Sequence, residues 1–396
     1  MLPFDDALQR IVTSASLLGS ERVPVAHSAG RVLATDLRAH SPIPAFDYSA
    51  MDGYAVDSAA FHGAGGWDLP VIGESCAGRP APALTPGSAC RIFTGAAIPA
   101  GANAVVMQED VTRSADRAQF SAAPQLGANI RKCGEDLPAG AIALLRGTRC
   151  SAFHVGLAAA LDVSEVVVAR RPRVAILCTG EELRAPGSFA APGTIPDSNG
   201  PSLAALVTSA GGVAELMPRV GDTLPETEQA LRAALSGVDL LLTVGGVSVG
   251  DHDWVRVALE RIGASLEFWK VAIKPGKPLA FGRVGSTHIL GLPGNPVSAQ
   301  ITFALFGIPL LRALQGDSRP VPTRGRARLQ HALTQKPGRT GFYRATLEGD
   351  SATLSSNQAS GSPASLALAN ALVIIPAESV GAAAGESVEV LRLAEL

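Results

Sequence analysis

The chain has 396 residues, a formal net charge of −2, and 17% charged against 47% hydrophobic residues. This balance describes a folded chain of two to four domains and lacks the basic excess of a general nucleic-acid binder. Its five cysteines, an odd number with no CxxC pair, exclude a disulfide framework and a zinc knuckle.

The opening MLPFDDALQRIV has acids where a secretory signal needs basic residues. Apolar runs fall short of the roughly 18–20 residues that span a bilayer, broken by Gly, Pro or charge. A cytoplasmic protein without membrane contact is expected. Leu8, Ile11, Val12, Ala15 and Leu18 recur at helical spacing, so a short amphipathic helix opens the chain. From residue 46 to 145 the texture becomes short β-like runs between Pro and Gly: 67–72, 89–94, 104–108 and 142–145. Helical character returns at 151–161. The β-rich module 46–145 is therefore expected as an insertion in a discontinuous helical N-terminal domain, 1–45 and 146–171.

Residues 172–318 alternate strands (173–178, about 214–218, 238–244, 288–292) with helices (202–210, about 226–235, one after the Gly-rich loop, one from about 296). That alternation predicts a three-layer α/β domain on a parallel sheet, with ligands beyond the carboxyl ends of its strands. The tail, 319–396, reads as short strands only and predicts a small β-barrel or sandwich.

Three loops leave the carboxyl ends of the expected parallel strands: CTGEEL (178–183), VGGVSVGDHDW (244–254) and LPGNPVS (292–298). Their glycines let backbone N–H groups approach an anion, and helix N-termini follow. Glu182, Asp222, Asp251 and Asp253 gather on the same edge. Helix capping accounts for any one of them singly; together, beside phosphate-shaped loops, they suit Mg²⁺. FWKVAIKPGKP (268–278) sets Lys270, Lys274 and Lys277 among apolar and Pro/Gly residues, an anion-binding pattern rather than a solvated face. FDYSAMDGYAV (46–56) and GANIRKCGEDL (127–137) mix acids, bases and glycines at loop-to-strand junctions.

MDGYAV, GxNIRxxGEDL, TGxEL, GGVSVGDxD, IKPGKP and LPGNPVSA stand here in that order. In this the chain resembles the MoeA family of molybdenum-cofactor enzymes, related to the C-terminal domain of gephyrin, from about residue 4 to its end. The resemblance implies an elongated homodimer of four-domain subunits whose cleft lies between the α/β domain and the β module of the other subunit. The implied substrates are adenylylated molybdopterin and molybdate, with Mg²⁺ as the metal, AMP as product, and transient contacts with an adenylyltransferase and acceptor molybdoenzymes. It assigns catalysis or substrate placement to Asp52, Asp136, Glu182, Asp222 and Asp253. Metal binding falls to Asp222, Asp251 and Asp253. The substrate would meet Thr179, Gly180, Ser198, Gly245, Gly246, Ser248, Gly250, Lys270, Lys274, Lys277, Pro293, Gly294, Asn295 and Pro296. Tyr48 stands where the family often has Asn, Glu181 where Asp is common, and Ala128 where Glu is frequent. Two other readings remain open at this point: a stand-alone adenylyltransferase, which needs only the α/β domain, and a carrier of finished cofactor without turnover.

Overall fold

The structure, a computed structural model, describes residues 1–63, 65–221, 223–246 and 254–396. Its centre is a six-stranded sheet built from β1 (Arg173–Cys178), β2 (Val213–Leu216), β3 (Leu240–Val244), β4 (Ser265–Lys270), β5 (Pro278–Val284) and β6 (Thr287–Leu292), in the spatial order β2-β1-β3-β6-β5-β4. β1 is RVAILC and β3 is LLLTV. They are apolar almost throughout because helices cover both faces, as parallel strands require. One face buries Leu203 and Val207 of α1 (Asn199–Ser209) with Val297 and Ile301 of α4 (Pro296–Thr302). The other buries Leu231 and Ala234 of α2 (Leu224–Ala234) with Val255 and Leu259 of α3 (Trp254–Arg261). These are the three layers.

The sheet is mixed, not wholly parallel. β2, β1, β3 and β6 run parallel; β5 alone runs the other way, antiparallel to both β6 and the edge strand β4. The cause is local: Gly285-Ser286 is a two-residue link between β5 and β6, with Gly285 at φ 58°, and so short a link folds a hairpin.

Residues 296–314 form one helical run, with a π turn over Phe303–Gly307 between α4 and Ile308–Leu314. By length and composition this run could cross a membrane, contrary to the expectation that Gly, Pro or charge breaks every apolar run, but nearly all of it is buried inside the protein. It is the core helix around which other units assemble. Phe4 of the opening helix, Phe4–Thr13, meets Phe306 of this run edge-on at 5.4 Å and Phe342 of the C-terminal domain at 5.0 Å. The opening helix therefore packs between the α/β domain and the tail, not within the segments 20–45 and 146–171 that share its expected domain. Those segments are not purely helical either. Ser20–Pro24 pairs with Glu165–Ala169, and Leu37–Arg38 pairs with Ile142–Leu144, around the helix Ala152–Ala160.

The module between them is a six-stranded sheet in the spatial order 104–107, 53–56, 89–92, 67–75, 117–120, 111–114. The tail closes a five-stranded barrel: Thr340–Glu348, Ser351–Leu354, Gly325–Leu329, Ser387–Arg392 and Ala371–Ile375 pair in a ring. It also carries one short helix, Pro363–Ala367, where strands alone were expected.

The α/β domain is tied to the unit before it by Asp239, which lies just ahead of β3. Its carboxylate takes a forked pair of hydrogen bonds from Arg170 (2.8 and 2.6 Å) and a third from the Arg173 backbone N–H at 2.8 Å. Asp239→Ala leaves a guanidinium and a strand N–H without their acceptor. It should destabilise the chain by about 2–3 kcal/mol, read from the urea midpoint at unchanged slope.

Candidate functional site

The carboxyl ends of β1, β3 and β6 lie side by side because Cys178, Val244 and Leu292 are in register across the sheet. Each strand end is passed to its neighbour. Thr179 N–H donates to Val244 O at 3.0 Å, and Gly245 N–H to Leu292 O at 3.1 Å. Past this line the backbone turns sharply. Gly245 and Gly246 have φ of 87° and 61°, a region that favours glycine, and a Cβ on Gly245 would lie 3.0 Å from Thr179 Oγ1.

The three loops enclose a cavity of about 500 Å³. Of the residues singled out in the sequence, Thr179, Gly180, Glu182, Ser198, Gly245, Gly246, Pro293, Gly294, Asn295 and Pro296 line it. Asp222, Ser248, Gly250, Asp251 and Asp253 lie outside the described residues. A Cβ on Gly180 would collide with the Glu182 carboxylate, so glycine there is what lets Glu182 fold back over the strand end.

Asn199, at the first turn of α1, was not singled out by sequence and is central to the wall. Its amide donates to Gly294 O at 2.8 Å, joining the first loop's helix to the third loop, while its buried Oδ1 has no hydrogen-bond partner among the described residues. Asp197 holds the turn by accepting from the N–H groups of Asn199 (2.9 Å) and Gly200 (3.1 Å). The signal was present in PDSNG, an Asx turn ahead of a helix. Among the described residues no group of three or more His, Cys, Asp or Glu gathers to hold a metal. The side chains that line the cavity and could ligate a metal offer oxygens, from Glu182, Thr179, Ser198 and the amides of Asn199 and Asn295. That set suits a hard cation such as Mg²⁺ and not a thiophilic one.

Lys274 and Lys277 do not face this cavity. They line a second one of about 300 Å³, between the α/β domain and the barrel, together with Ser298, Arg339, Tyr343 and Ser360. Pro278 borders both cavities. Among the described residues, Lys274, Lys277 and Arg339 have no carboxylate within ion-pair distance. Arg339 and Ser360 come from the barrel and had no motif to mark them. Lys270 ends β4 opposite Pro278 and lines neither cavity.

Asp52 and Asp136 lie in the β module, and no described residue of 46–145 borders either cavity. Asp52 Oδ1 accepts from the Thr94 backbone N–H and hydroxyl, both at 2.8 Å, which holds its carboxyl below the usual range. Asp47 accepts from Cys133 N–H at 2.8 Å and Lys132 Nζ at 2.7 Å, so its carboxyl is lowered too. That bond ties the loop before Asp52 to the loop carrying Asp136, whose N–H donates to Ile43 O at 3.1 Å. Tyr48 pairs with Arg131 between the same two loops.

Burial, reinforced by Asp197, pushes the Cys178 thiol up to about 12, and burial lifts Cys90 to about 11. Both stay protonated at neutral pH, so neither is a thiolate that would bind a soft metal. A thiol reagent at pH 8 should label exposed Cys133 first, then half-buried Cys76. Cys90, Cys150 and Cys178 should react only after unfolding. Mass spectrometry locates the label, and native labelling of Cys178 would contradict the closed strand end.

Three family descriptions match the chain in succession: MoeA N-terminal region (domain I and II) at residues 2–161, Probable molybdopterin binding domain at 175–313, and MoeA C-terminal region (domain IV) at 326–393. Molybdopterin molybdenumtransferase 2 of Mycobacterium tuberculosis is 39% identical over 386 residues, 94% of each chain. Molybdopterin molybdenumtransferase of Bacillus subtilis is 34% identical, covering 100% of this chain and 94% of its own. The crystal structure of the molybdopterin biosynthesis moeA protein from Pyrococcus horikoshii superposes with a TM-score of 0.88 at 30% identity, covering 99% of this chain and all of that one. With matches along almost its whole length, the chain belongs to the MoeA family.

Proposed function

We propose that this chain is a molybdopterin molybdenumtransferase, inserting molybdenum from molybdate into adenylylated molybdopterin with release of AMP. The observation that carries this reading is the pair of adjoining cavities. One is lined by glycine loops, amide groups and Glu182; the other is cationic and smaller, and they share Pro278. The reaction needs both kinds of pocket. A pterin joined to a nucleotide by a phosphoanhydride wants backbone N–H groups and room, whereas a tetrahedral dianion wants unpaired cations.

In this reading the three loops bind the pterin nucleotide, with the backbone at Gly245 and Gly246 against its phosphates. Lys274, Lys277 and Arg339 hold molybdate across the Pro278 boundary. An oxygen of molybdate or of water attacks the phosphoanhydride, whose P–O bond breaks to release AMP. The two dithiolene sulfurs then bond to molybdenum as Mo–O bonds break. The displaced oxygen leaves as water with the sulfurs' protons or, where molybdate was the attacker, in part with AMP. Mg²⁺, which Glu182, Asp222, Asp251 and Asp253 would hold, supplies positive charge against the phosphates. No protein thiol takes part, in keeping with Cys178 locked protonated beside the site.

Asp52 and Asp136 reach this chemistry through the β module of a second copy, so the working form is a homodimer. It acts in the cytoplasm and makes passing contacts with an adenylyltransferase upstream and acceptor molybdoenzymes downstream. An adenylyltransferase alone would not need the barrel, yet the barrel supplies Arg339 and Ser360 to the cationic cavity. A non-catalytic carrier would not need two cavities of opposite chemistry.

Purified protein with Mg²⁺ and adenylylated molybdopterin should release AMP much faster with molybdate than without, and the product should activate an apo-molybdoenzyme. Glu182→Gln should slow AMP release on the order of 10²-fold. Tight binding of the nucleotide with no AMP under any metal condition would overturn the reading. So would ATP consumption that proceeds without molybdate.

A further inference from the structure

Lys274 belongs to the α/β domain, but its surroundings belong to the barrel. Ile273–Lys274 pairs in parallel with Thr340–Gly341, which brings the lysine against the barrel strand Thr340–Glu348. There the Lys274 ammonium lies 5.7 Å from the centroid of the Tyr343 ring. Tyr343 is 4% exposed, so the ring is fixed by packing among Ala345, Val373 and Val390.

The phenol is fixed as well. Its hydroxyl donates to Gln335 Oε1 at 3.1 Å, and Gln335 Nε2 donates in turn to the carbonyls of Pro376 (2.7 Å) and Ser379 (3.1 Å). Burial raises the Tyr343 pKa, which keeps that hydroxyl a donor across the neutral range. Gly341 leaves the space for this pair, since a Cβ there would strike the Tyr343 ring and come within 2.5 Å of Gln335 Oε1.

We infer that Tyr343, braced by Gln335, is a positioning residue that aims the Lys274 ammonium into the cationic cavity while leaving its charge free for a dianion. The inference rests on the assignment of that cavity to molybdate. The physical reason lies in the partner chosen. A carboxylate would orient the lysine equally well but would cancel the charge that the substrate needs. An aromatic face attracts the ammonium through its quadrupole and stays neutral. Lys274 is exposed at the cavity edge, and a free four-carbon side chain there would lose rotamer entropy on binding an anion. Contact with a ring already fixed in place reduces that loss.

The test is steady-state AMP release by the full-length protein, varying molybdate at saturating adenylylated molybdopterin and then the reverse. Tyr343→Phe keeps the ring and should leave the KM for molybdate within about twofold. Tyr343→Leu removes it and should raise that KM roughly 3- to 10-fold, with the KM for the pterin nucleotide unchanged. Because a buried Tyr343→Leu chain can lose stability, 3,4,5-trifluorophenylalanine at 343 provides the matched control. It has nearly the shape of phenylalanine with a weakened quadrupole, so the KM for molybdate should again rise. A packing role alone would leave the fluorinated protein equal to Tyr343→Phe, or move both KM values together, and either result overturns the inference. Lys274→Ala separates the two levels of the argument. If it leaves the KM for molybdate unchanged, the cavity assignment itself fails. If it raises that KM while the ring variants do not, only the positioning role fails.

Discussion

Everything at this site depends on the register of three parallel strands. Cys178, Val244 and Leu292 end at one level in register, and slipping by one residue would swap the side chains fitted to the helix layer on one face with those fitted to the layer on the other. With the ends level, three loops must share one small space, and the glycines at 180, 245 and 246 are the residues that fit there. The cavity is thus a consequence of core packing. No single loop builds it.

The second cavity depends on how the units are joined. The helical run 296–314 is core to the α/β domain, and the opening helix bridges it to the barrel through Phe4, set edge-on between Phe306 and Phe342. Arg324 extends that bridge, lying 5.5 Å from the Phe4 ring centroid while pairing with Asp5 and Glu389. This fixed seam presents Arg339 and Ser360 of the barrel to Lys274 and Ser298 of the α/β domain. Burial also orders the rim itself. Arg344, only 1% exposed, donates to the carbonyls of Asn357 and Ala359 and so holds the turn that carries Ser360.

The sequence was most informative where one element dictates one pattern. The apolar runs RVAILC and LLLTV could only be buried strands, and their glycine loops pointed to a binding edge. The one reversed strand of the sheet, β5, was also legible, in the Gly285-Ser286 link, but strand–helix alternation obscured it. What stayed out of reach was contact between distant segments. Lys270, Lys274 and Lys277 form one sequence cluster, yet strand alternation and the IKPGKP turn put only Lys274 and Lys277 into the cationic cavity. Arg339 and Ser360 carry no local signature, because their meaning comes from pairing across the barrel seam. Asn199 could be read as a turn residue, but its bond to Gly294, 95 positions away, could not.

The central claim is that the nucleotide and the oxyanion occupy different cavities joined at Pro278. Tungstate is nearly isosteric with molybdate and scatters X-rays anomalously, so crystals grown with tungstate test the claim directly. The account predicts an anomalous peak within hydrogen-bonding reach of Lys274, Lys277 and Arg339, in the cavity shared with the barrel. A peak instead among Thr179, Gly245 and Asn295, with the cationic cavity empty at saturating tungstate, would contradict it.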